Sequence, residues 1–218
     1  MNPEGVIFDL DGTLVASERI YRDAWRQAAR EMGIELTDEA YARLIGLNRH
    51  DTIVQLAGIW AGRTHAESFV DLSQRHYDAM VAKQGHVVRS GVRPLLDHLA
   101  RQKLPLAVAT SSARQLALDT LAAVNLAGYF PVVIAGDEVA LGKPHPGIYL
   151  EAAARLGCNP AGCVAFEDSV TGATAALRAG LQVVLVPEIR SPAHAQLAAV
   201  THLDDHMAAI NLFPPRSP

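Results

Sequence analysis

Val6-Ile7-Phe8-Asp9-Leu10-Asp11-Gly12-Thr13-Leu14 is the stretch of the 218-residue chain that decides its fold. It begins with a short apolar run with a β-branched bias, which is typical of a buried strand. The alternation of a strand would place Asp9 and Asp11 on one face, at the point where the strand ends. Two neighbouring carboxylates repel each other and lose hydration there, so a bound cation or a reaction that needs both acids would explain them.

The same Asp-x-Asp-Gly pattern has a simpler interpretation, because it also occurs in turns and in calcium-binding loops. A calcium loop needs further acids at alternating positions and a glutamate shortly afterwards. Leu14, Val15 and Ala16 follow here instead, which weighs against a calcium loop. The turn remains an alternative for this motif taken alone.

Length and composition limit the classes of protein to consider. A chain of 218 residues favours a core domain with a smaller insert. Half of the residues are hydrophobic, enough for a substantial core, and the net charge of -4 argues against a nucleic-acid surface. No apolar stretch reaches the roughly 20 residues of a membrane span, and no basic segment typical of a secretory signal precedes the first apolar run. We expect a cytoplasmic monomer without membrane or nucleic-acid partners.

Cys158 and Cys163 are the only cysteines of the chain. A disulfide between them is conceivable, but their positions better suit a helix end and the strand after it. We expect both to be reduced, as is usual in the cytoplasm. They also lack the further ligands that a zinc site requires.

Strands and helices alternate between residues 104 and 186. Four apolar runs are typical of buried strands: residues 106–109, 132–135, 163–166 and 183–186. Helical stretches separate them, at about residues 113–124, 147–156 and 171–179. This order predicts an α/β fold with a Rossmann-like parallel sheet, covered by helices on both faces.

The segment from residue 17 to residue 85 shows helical periodicity and no clear strand. Its expected helices cover residues 19–32, 39–45, 51–60 and 66–83. We therefore expect a small α-helical cap domain over residues 17–85, inserted into a core formed by residues 1–16 and 86–218. Residues 213–218 are expected to form a frayed tail.

Polar residues fall at the ends of the predicted strands or in the loops just after them. They are Asp9 with Asp11, Thr110 with Ser111, Lys143, and Glu167 with Asp168. In a parallel sheet with right-handed crossovers these ends lie on one edge. Carboxylates suit Mg²⁺, while a lysine and oriented N–H groups suit a phosphate. The set therefore predicts a magnesium-assisted phosphoryl site.

Each of these clusters also has a structural interpretation when it is taken alone. Thr110 and Ser111 could cap the next helix, and Lys143 could be a solvated loop lysine. Glu167 and Asp168 could favour the start of a helix through its dipole. The common order of the clusters favours the functional interpretation of the set.

The arrangement of these motifs resembles that of the haloacid dehalogenase superfamily. The matching motifs, in order and spacing, are Asp9-Leu10-Asp11-Gly12-Thr13, Thr110, Lys143 with Pro144, and Glu167-Asp168-Ser169. The helical insert is similar to the small cap of the subgroup that holds β-phosphoglucomutases and sugar-phosphate phosphatases. The resemblance spans most of the chain and implies a phosphoric monoester hydrolase.

The resemblance also implies roles for the acids. Asp9 would attack phosphorus to give an aspartyl-phosphate, and Asp11 would act as general acid and then as general base. The Asp9 carboxylate, the Asp11 backbone carbonyl and Asp168 would hold Mg²⁺, with Glu167 close by or bridging through water.

The remaining motif residues would bind the phosphate. The resemblance implies that Thr110 and the N–H group of Ser111 bind phosphoryl oxygens. Lys143 would offset the negative charge of Asp9 and of the phosphate.

Several residues bear on the reaction within the superfamily. The resemblance implies that true dehalogenases of the superfamily lack the second acid, so Asp11 argues against dehalogenation. It also implies that phosphonate cleavage uses a cap lysine as a Schiff base. The single cap lysine, Lys83, stands late, at the end of the last cap helix, which argues against phosphonate cleavage. Similar mutases carry a histidine where Tyr21 stands, which favours a phosphatase over a β-phosphoglucomutase-type mutase. Ala16 stands where phosphatases more often have Asp, and a polar anchor near the hinge is thereby lost.

Substrate selection is expected to come from the cap. Residues 44–50 resemble the specificity loop of the subgroup, and Arg49 could hold a distal hydroxyl or a second phosphate. The alternative is a solvated arginine near a helix start. The leading hypothesis is a Mg²⁺-dependent phosphatase of small phosphorylated metabolites, namely sugar or polyol phosphates. A phosphomutase, or a binding protein on a degenerate enzyme scaffold, is the alternative.

Overall fold

One parallel sheet organises the protein. The computed structural model describes residues 1–60 and 62–215, and within them the sheet has six strands. These are β1 (Gly5–Phe8), β2 (Leu106–Ala109), β3 (Val132–Ile134), β4 (Cys163–Glu167), β5 (Gln182–Leu185) and β6 (Val200–His202). Their order across the sheet is β3-β2-β1-β4-β5-β6, and every pair is parallel. This is the order of a doubly wound sheet, so the predicted Rossmann-like core is confirmed.

Helices connect the strands and form the insert. They are α1 (Glu18–Met32), α2 (Asp38–Ala42), α3 (Arg49–Ile59), α4 (Arg63–Gln84), α5 (Val92–Arg101), α6 (Arg114–Ala123), α7 (Gly147–Leu156), α8 (Val170–Arg178) and α9 (His206–Ala209). Short 3₁₀ turns cover Ala127–Tyr129, Pro160–Gly162, His194–Gln196 and Ile210–Leu212. Helices α1 to α4 all lie between β1 and β2, in the stretch where a cap is expected.

The central strands are buried on both faces, which explains their continuous apolar sequences. Successive residues of a strand point to opposite sides of the sheet. Ile7 accordingly packs in the hydrophobic layer that contains Tyr149 of α7, whereas Phe8 lies in the opposite layer. There the Phe8 ring stacks on Phe166 of β4, with the ring centroids 4.7 Å apart. The sheet is thus packed between two hydrophobic layers.

The helical insert has a small hydrophobic core of its own. Leu56 of α3 and Phe69 of α4 are fully buried in it, and Trp25 of α1 packs edge-on against Phe69. The two chain segments that join the insert to the core run side by side, since the Ala16 N–H donates to the Val87 carbonyl at 2.8 Å. The division into a core and a cap domain at residues 16/17 and 85/86 stays a prediction.

The prediction of a frayed tail over residues 213–218 is wrong at residue 213. Phe213 is buried in the main hydrophobic layer, and its carbonyl accepts a hydrogen bond from Gln102 at 2.9 Å. The Phe213 ring packs in the same hydrophobic layer as the buried residues of α5, and this packing holds it in place. Pro214 and Pro215 are exposed, and residues 216–218 lie outside the described residues.

Two further expectations concern the cysteines and the membrane. Both Cys158 and Cys163 are free thiols, in agreement with the prediction that they are reduced. Among the described residues, no helix combines the length and the apolar character needed to cross a bilayer.

Candidate active site

The sheet topology brings the predicted motifs together. Asp9 follows β1 directly and Asp168 follows β4, and the two strands are neighbours with Phe8 opposite Phe166. The strand order reverses between β1 and β4, which opens a crevice at the carboxyl ends of the strands. Thr110 follows β2 on the other side of β1. Ligands of open α/β sheets bind at this position.

Three acids form a compact cluster in the crevice. Asp9, Glu167 and Asp168 are buried, and each offers a carboxylate oxygen within 4.8 Å of the others. Burial raises the pKa of Asp168 well above its usual range, and the negative charges of Glu18 and Asp9 add to this effect. Burial likewise raises the pKa of Asp9 to about 8, although Lys143 acts in the opposite direction.

A divalent cation fits this donor set. Oxygen ligands from carboxylates are those that Mg²⁺ prefers, and a cation would relieve the repulsion that raises the pKa of Asp9 and Asp168. The Asp11 carboxylate is not part of the three-acid cluster. Asp11 is expected to bind the cation through its backbone carbonyl, and that role does not require its carboxylate in the cluster.

Lys143 is a buried ion-pair partner rather than a solvated loop residue. Its Nζ lies 2.6 Å from Asp9 Oδ1 and 2.6 Å from Glu167 Oε1, and only 1% of its side chain is exposed. Burial alone would lower the pKa of Lys143, but the Asp9 and Glu167 carboxylates more than offset this and raise it. Lys143 is therefore charged at neutral pH and compensates part of the acid cluster.

Glu167 is held by neighbours on both of its oxygens. Besides Lys143, the Tyr149 hydroxyl of α7 donates to Oε1, and the Ser169 hydroxyl donates to Oε2 at 3.1 Å. A Cβ atom at Gly172 would lie 1.9 Å from Oε1, so only glycine leaves room for this carboxylate. The sequence pattern gave no indication of Tyr149 or Gly172.

Gly12 leaves room for the Asp168 carboxylate in the same way. Its φ angle is +73°, and a Cβ atom there would lie 2.0 Å from Asp168 Oδ2. Both features require glycine. The glycine of the first motif thus allows the loop after β1 to approach the acid after β4.

Asp11 has a separate environment. Its Oδ2 accepts a hydrogen bond from the Ser112 hydroxyl at 2.6 Å. Ser112 was not among the predicted site residues, although it directly follows Thr110 and Ser111 in the second motif.

Thr110 and Ser111 do not cap the following helix with their side chains. Helix α6 begins after Ala113, and the N–H group of its first residue, Arg114, donates to Asp137 Oδ1 at 2.9 Å instead. The Thr110 hydroxyl accepts the Ser112 N–H at 3.1 Å, and the Ser111 hydroxyl donates to the Gly46 carbonyl at 2.8 Å. The second motif therefore contacts the loop of the insert in which substrate selection is expected.

A cavity of about 430 Å³ lies between the acid cluster and the insert. Asp9, Asp11 and Asp168 line its inner end, and residues of α1, α3 and α4 line its outer side. Arg49 is part of the wall, as expected of a substrate contact, but its Nη2 atom lies 2.6 Å from Asp71 Oδ1. The structure thus gives Arg49 an acidic partner that was not predicted.

Glu18 is a further residue that the sequence analysis missed. It lines the cavity, is buried, and its Oε2 accepts a hydrogen bond from the Tyr41 hydroxyl at 3.2 Å. Burial raises the pKa of Glu18 to about 8, and the charges of Asp11 and Glu188 contribute. Its position five residues after the first motif, at the start of α1, was the available signal.

Comparison with known proteins adds independent evidence. Residues 6–186 match the model of the haloacid dehalogenase-like hydrolase family. A phosphorylated carbohydrates phosphatase of Thermotoga maritima is 34% identical over 182 residues, which cover 82% of this chain and 82% of that protein.

Two further proteins are similar along most of the chain. A fructose-1-phosphate phosphatase of Escherichia coli is 34% identical over 190 residues, covering 83% of this chain and 94% of that protein. The crystal structure of CbbY from Rhodobacter sphaeroides in complex with xylulose 1,5-bisphosphate superimposes with a TM-score of 0.79 at 27% identity. It covers 94% of this chain and 95% of that one.

Proposed function

Because the chain belongs to the haloacid dehalogenase-like hydrolase family, we propose that it is a Mg²⁺-dependent phosphatase of small sugar or polyol phosphates, with an aspartyl-phosphate intermediate. The observation that carries the proposal is the buried three-acid cluster, paired with Lys143, of which Asp9 and Asp168 line the inner end of the cavity. The names of the relatives as phosphatases agree with hydrolysis of phosphoric monoesters.

Asp9 is the proposed nucleophile. Its carboxylate lies at the end of β1 and faces the cavity, and the Lys143 ammonium at 2.6 Å favours its ionised form. An ionised carboxylate can attack phosphorus to form the aspartyl-phosphate. Lys143 then also offsets part of the negative charge that Asp9 and the phosphate bring together.

Asp11 is the proposed general acid and base. It would protonate the leaving oxygen of the ester and later accept the proton of the attacking water. The Ser112 hydroxyl holds Asp11 at the cavity wall through a 2.6 Å hydrogen bond, so the carboxylate is positioned before substrate arrives.

The phosphate would be bound by the second motif and by the cation. Thr110 and the Ser111 N–H group are proposed to bind phosphoryl oxygens. Mg²⁺ would be held by the Asp9 carboxylate, the Asp11 carbonyl and Asp168, with Glu167 close by, and would supply positive charge that lets two anions approach each other.

The size of the cavity supports a compact substrate. A volume of about 430 Å³ suits a small ester, since ligand sites typically occupy about 300–1,000 Å³. Tyr21 lines the cavity where similar mutases carry a histidine, and it stacks on Tyr77 with ring centroids 3.9 Å apart. A tyrosine at the position of that histidine supports hydrolysis over phosphoryl transfer between sugar positions.

A phosphate-release assay tests the proposal. The purified chain is incubated with a panel of phosphate monoesters, with Mg²⁺ or with EDTA, and we expect turnover only with the metal. Asp9→Asn should lower kcat by at least about a thousandfold, since the nucleophile is lost. Glu151→Gln, at an exposed acid of α7, is the matched control and should behave as wild type. Lack of Mg²⁺-dependent release from every ester would refute the phosphatase.

A coupled assay separates the phosphatase from a mutase. The chain is given β-glucose 1-phosphate with a bisphosphate primer, and both phosphate and glucose 6-phosphate are measured. We expect phosphate without the isomer. Formation of glucose 6-phosphate faster than phosphate would overturn the proposed hydrolysis.

A further inference from the structure

Arg49 and Asp78 line the outer side of the cavity, and Asp71, the ion-pair partner of Arg49, gives this side more negative than positive charge. From this we propose that the site selects phosphate monoesters whose remaining part is uncharged and hydroxylated, and that it discriminates against esters with a second anionic group. The inference rests on the proposed phosphatase function and narrows its substrate class.

Helix α4 supplies both acids, Asp78 in the cavity wall and Asp71 as the partner of Arg49. Asp71, Gln74 and Asp78 are three and four residues apart, and this spacing places them on one face of the helix. Gln74 and Asp78 line the cavity, and the Gln74 amide donates to Asp78 Oδ1 at 2.8 Å. The amide thereby orients one oxygen of Asp78 and leaves the other oxygen available as an acceptor.

Arg49 is the one cation among the described residues that line the cavity. Its Nη2 atom lies 2.6 Å from Asp71 Oδ1, so its charge is already compensated. About half of each side chain is exposed, and an exposed pair of this kind opens at little cost. Even when it opens, a second phosphate on Arg49 would lie close to the Asp71 carboxylate.

Glu18 adds a buried carboxyl group to the wall next to Asp11. Its carboxylate is buried, and the Tyr41 hydroxyl contacts one of its oxygens at 3.2 Å. Glu18 and Asp78 can both accept hydrogen bonds from substrate hydroxyls, while Trp25 and Leu44 offer apolar surface in the same wall. Carboxylate acceptors combined with apolar surface suit a neutral polyol chain or sugar ring.

A comparison of matched substrates tests the inference. The purified chain with Mg²⁺ is assayed for kcat/KM on fructose 1-phosphate against fructose 1,6-bisphosphate, and on glycerol phosphate against phosphoglycolate. p-Nitrophenyl phosphate serves as a reference for intact chemistry. We expect the ester with the uncharged remainder to be preferred by at least about tenfold in both pairs, which is the effect of one unfavourable charge contact.

Substitutions of the α4 acids should weaken this preference. Asp71→Asn and Asp78→Asn each remove one negative charge, and each should lower the preference by about fivefold. Asp119→Asn on α6 is the matched control. Gln115 donates to the exposed Asp119 at 2.9 Å, with the same four-residue spacing as Gln74 and Asp78, and Asp119 does not line the cavity. The control should leave the preference unchanged.

Three results would overturn the inference while the phosphatase function stands. The first is a preference for the bisphosphate or for phosphoglycolate. The second is an unchanged preference in both aspartate variants. The third is a loss on the bisphosphate at least tenfold larger than on the monophosphate in Arg49→Gln, which would make Arg49 the anchor of a second phosphate. No hydrolysis of any ester, p-nitrophenyl phosphate included, would instead refute the phosphatase itself.

Discussion

The reacting groups of the site are positioned by residues that take no part in the proposed chemistry. Lys143 is fixed between Asp9 and Glu167, and Glu167 is in turn held by Tyr149 and Ser169. A buried ammonium is stable only where such partners compensate its charge. The lysine therefore depends on the whole buried network for its position.

Ser112 offers a direct test of positioning at the residue scale. Ser112→Ala removes the hydroxyl that donates to Asp11 Oδ2 at 2.6 Å, and we expect kcat/KM to fall by about tenfold, as for one lost hydrogen bond to a charged group. Steady-state kinetics with a small phosphate ester measures the loss. Ser112→Thr keeps a hydroxyl and should recover most of the activity. Equal losses in both variants would argue against the hydrogen bond as the cause.

The sequence predicted the reacting residues better than the residues that hold them. Asp9, Lys143 and Asp168 stand at strand ends or in the loops that follow, where a local pattern is informative. Tyr149 belongs to α7 and reaches Glu167 only because the chain folds α7 over the sheet. Such a contact depends on tertiary packing and leaves no trace in local spacing.

Elements with strong apolar patterns were predicted closely, and weak ones were missed. Helix α7 has the predicted bounds, and β1 and β4 lie where continuous apolar runs indicated. Strand β6 has only three residues at the sheet edge and no buried run, so no pattern marked it. Helix α5 contains Pro94 in its first turn, where proline is tolerated although it interrupts the helical pattern.

Helix α8 depends on a glycine that a sequence pattern would treat as a weakness. Gly172→Ala would place a Cβ atom 1.9 Å from Glu167 Oε1, so the carboxylate must move away from Lys143. We expect a loss of about 2–3 kcal/mol in the free energy of unfolding, as in overpacked cores, and a fall in kcat of at least about tenfold. Urea denaturation and steady-state kinetics measure the two effects.

Gly58→Ala in α3 is the matched control for that substitution. Gly58 is exposed, and a Cβ atom there would contact nothing within 4 Å. Alanine should therefore stabilise the protein by about 0.5–1 kcal/mol through the helical backbone, with unchanged kinetics. A stable and active Gly172→Ala variant would show that the carboxylate of Glu167 can shift without loss.

At the scale of the whole molecule, the insert approaches the core closely at two glycines. The Gly46 carbonyl accepts a hydrogen bond from Ser111, and a Cβ atom at Gly46 would lie 2.6 Å from Ser169 Oγ. A Cβ atom at Gly142 of the core would lie 2.0 Å from Asn48 Nδ2. The contact between the insert and the core therefore requires small residues on both sides.

Gly46→Ala tests this contact. Gly46 and Gly33 have φ angles of +81° and +66°, so alanine at either position costs about 1–2 kcal/mol of backbone strain. Only Gly46 meets the core, whereas a Cβ atom at Gly33 contacts nothing within 4 Å. We expect Gly46→Ala to raise KM by at least about fivefold and Gly33→Ala to leave the kinetics unchanged. Equal KM values at similar stability losses would show that this contact does not matter for substrate binding.

Acid stability depends on a histidine that takes no part in the proposed chemistry. His206 of α9 is fully buried and stacks near Phe166, with ring centroids 6.0 Å apart. Burial lowers its pKa to about 3, and the charge of Arg89 contributes. Because the unfolded chain binds a proton below pH 6.5 and the folded chain does not, His206 reduces stability as the pH falls from about 6.5 towards 3.

The buried acids change the stability with pH in the opposite direction to His206. A substitution of His206 separates the two contributions. Folded-state pKa values of about 8 for Asp9 and Glu18 mean that their contribution is present below pH 4 and is lost as the pH rises towards 8. His206→Phe should leave the contribution of the buried acids unchanged. It should remove the loss in the free energy of unfolding that His206 causes as the pH falls below 6.5, which is up to about 1.4 kcal/mol per pH unit. Urea denaturation at pH 7.5 and pH 4.5 should therefore show the variant gaining about 2–3 kcal/mol relative to wild type at the lower pH. His50→Gln, at an exposed position, should follow wild type, and parallel curves for His206→Phe and wild type would contradict the assignment.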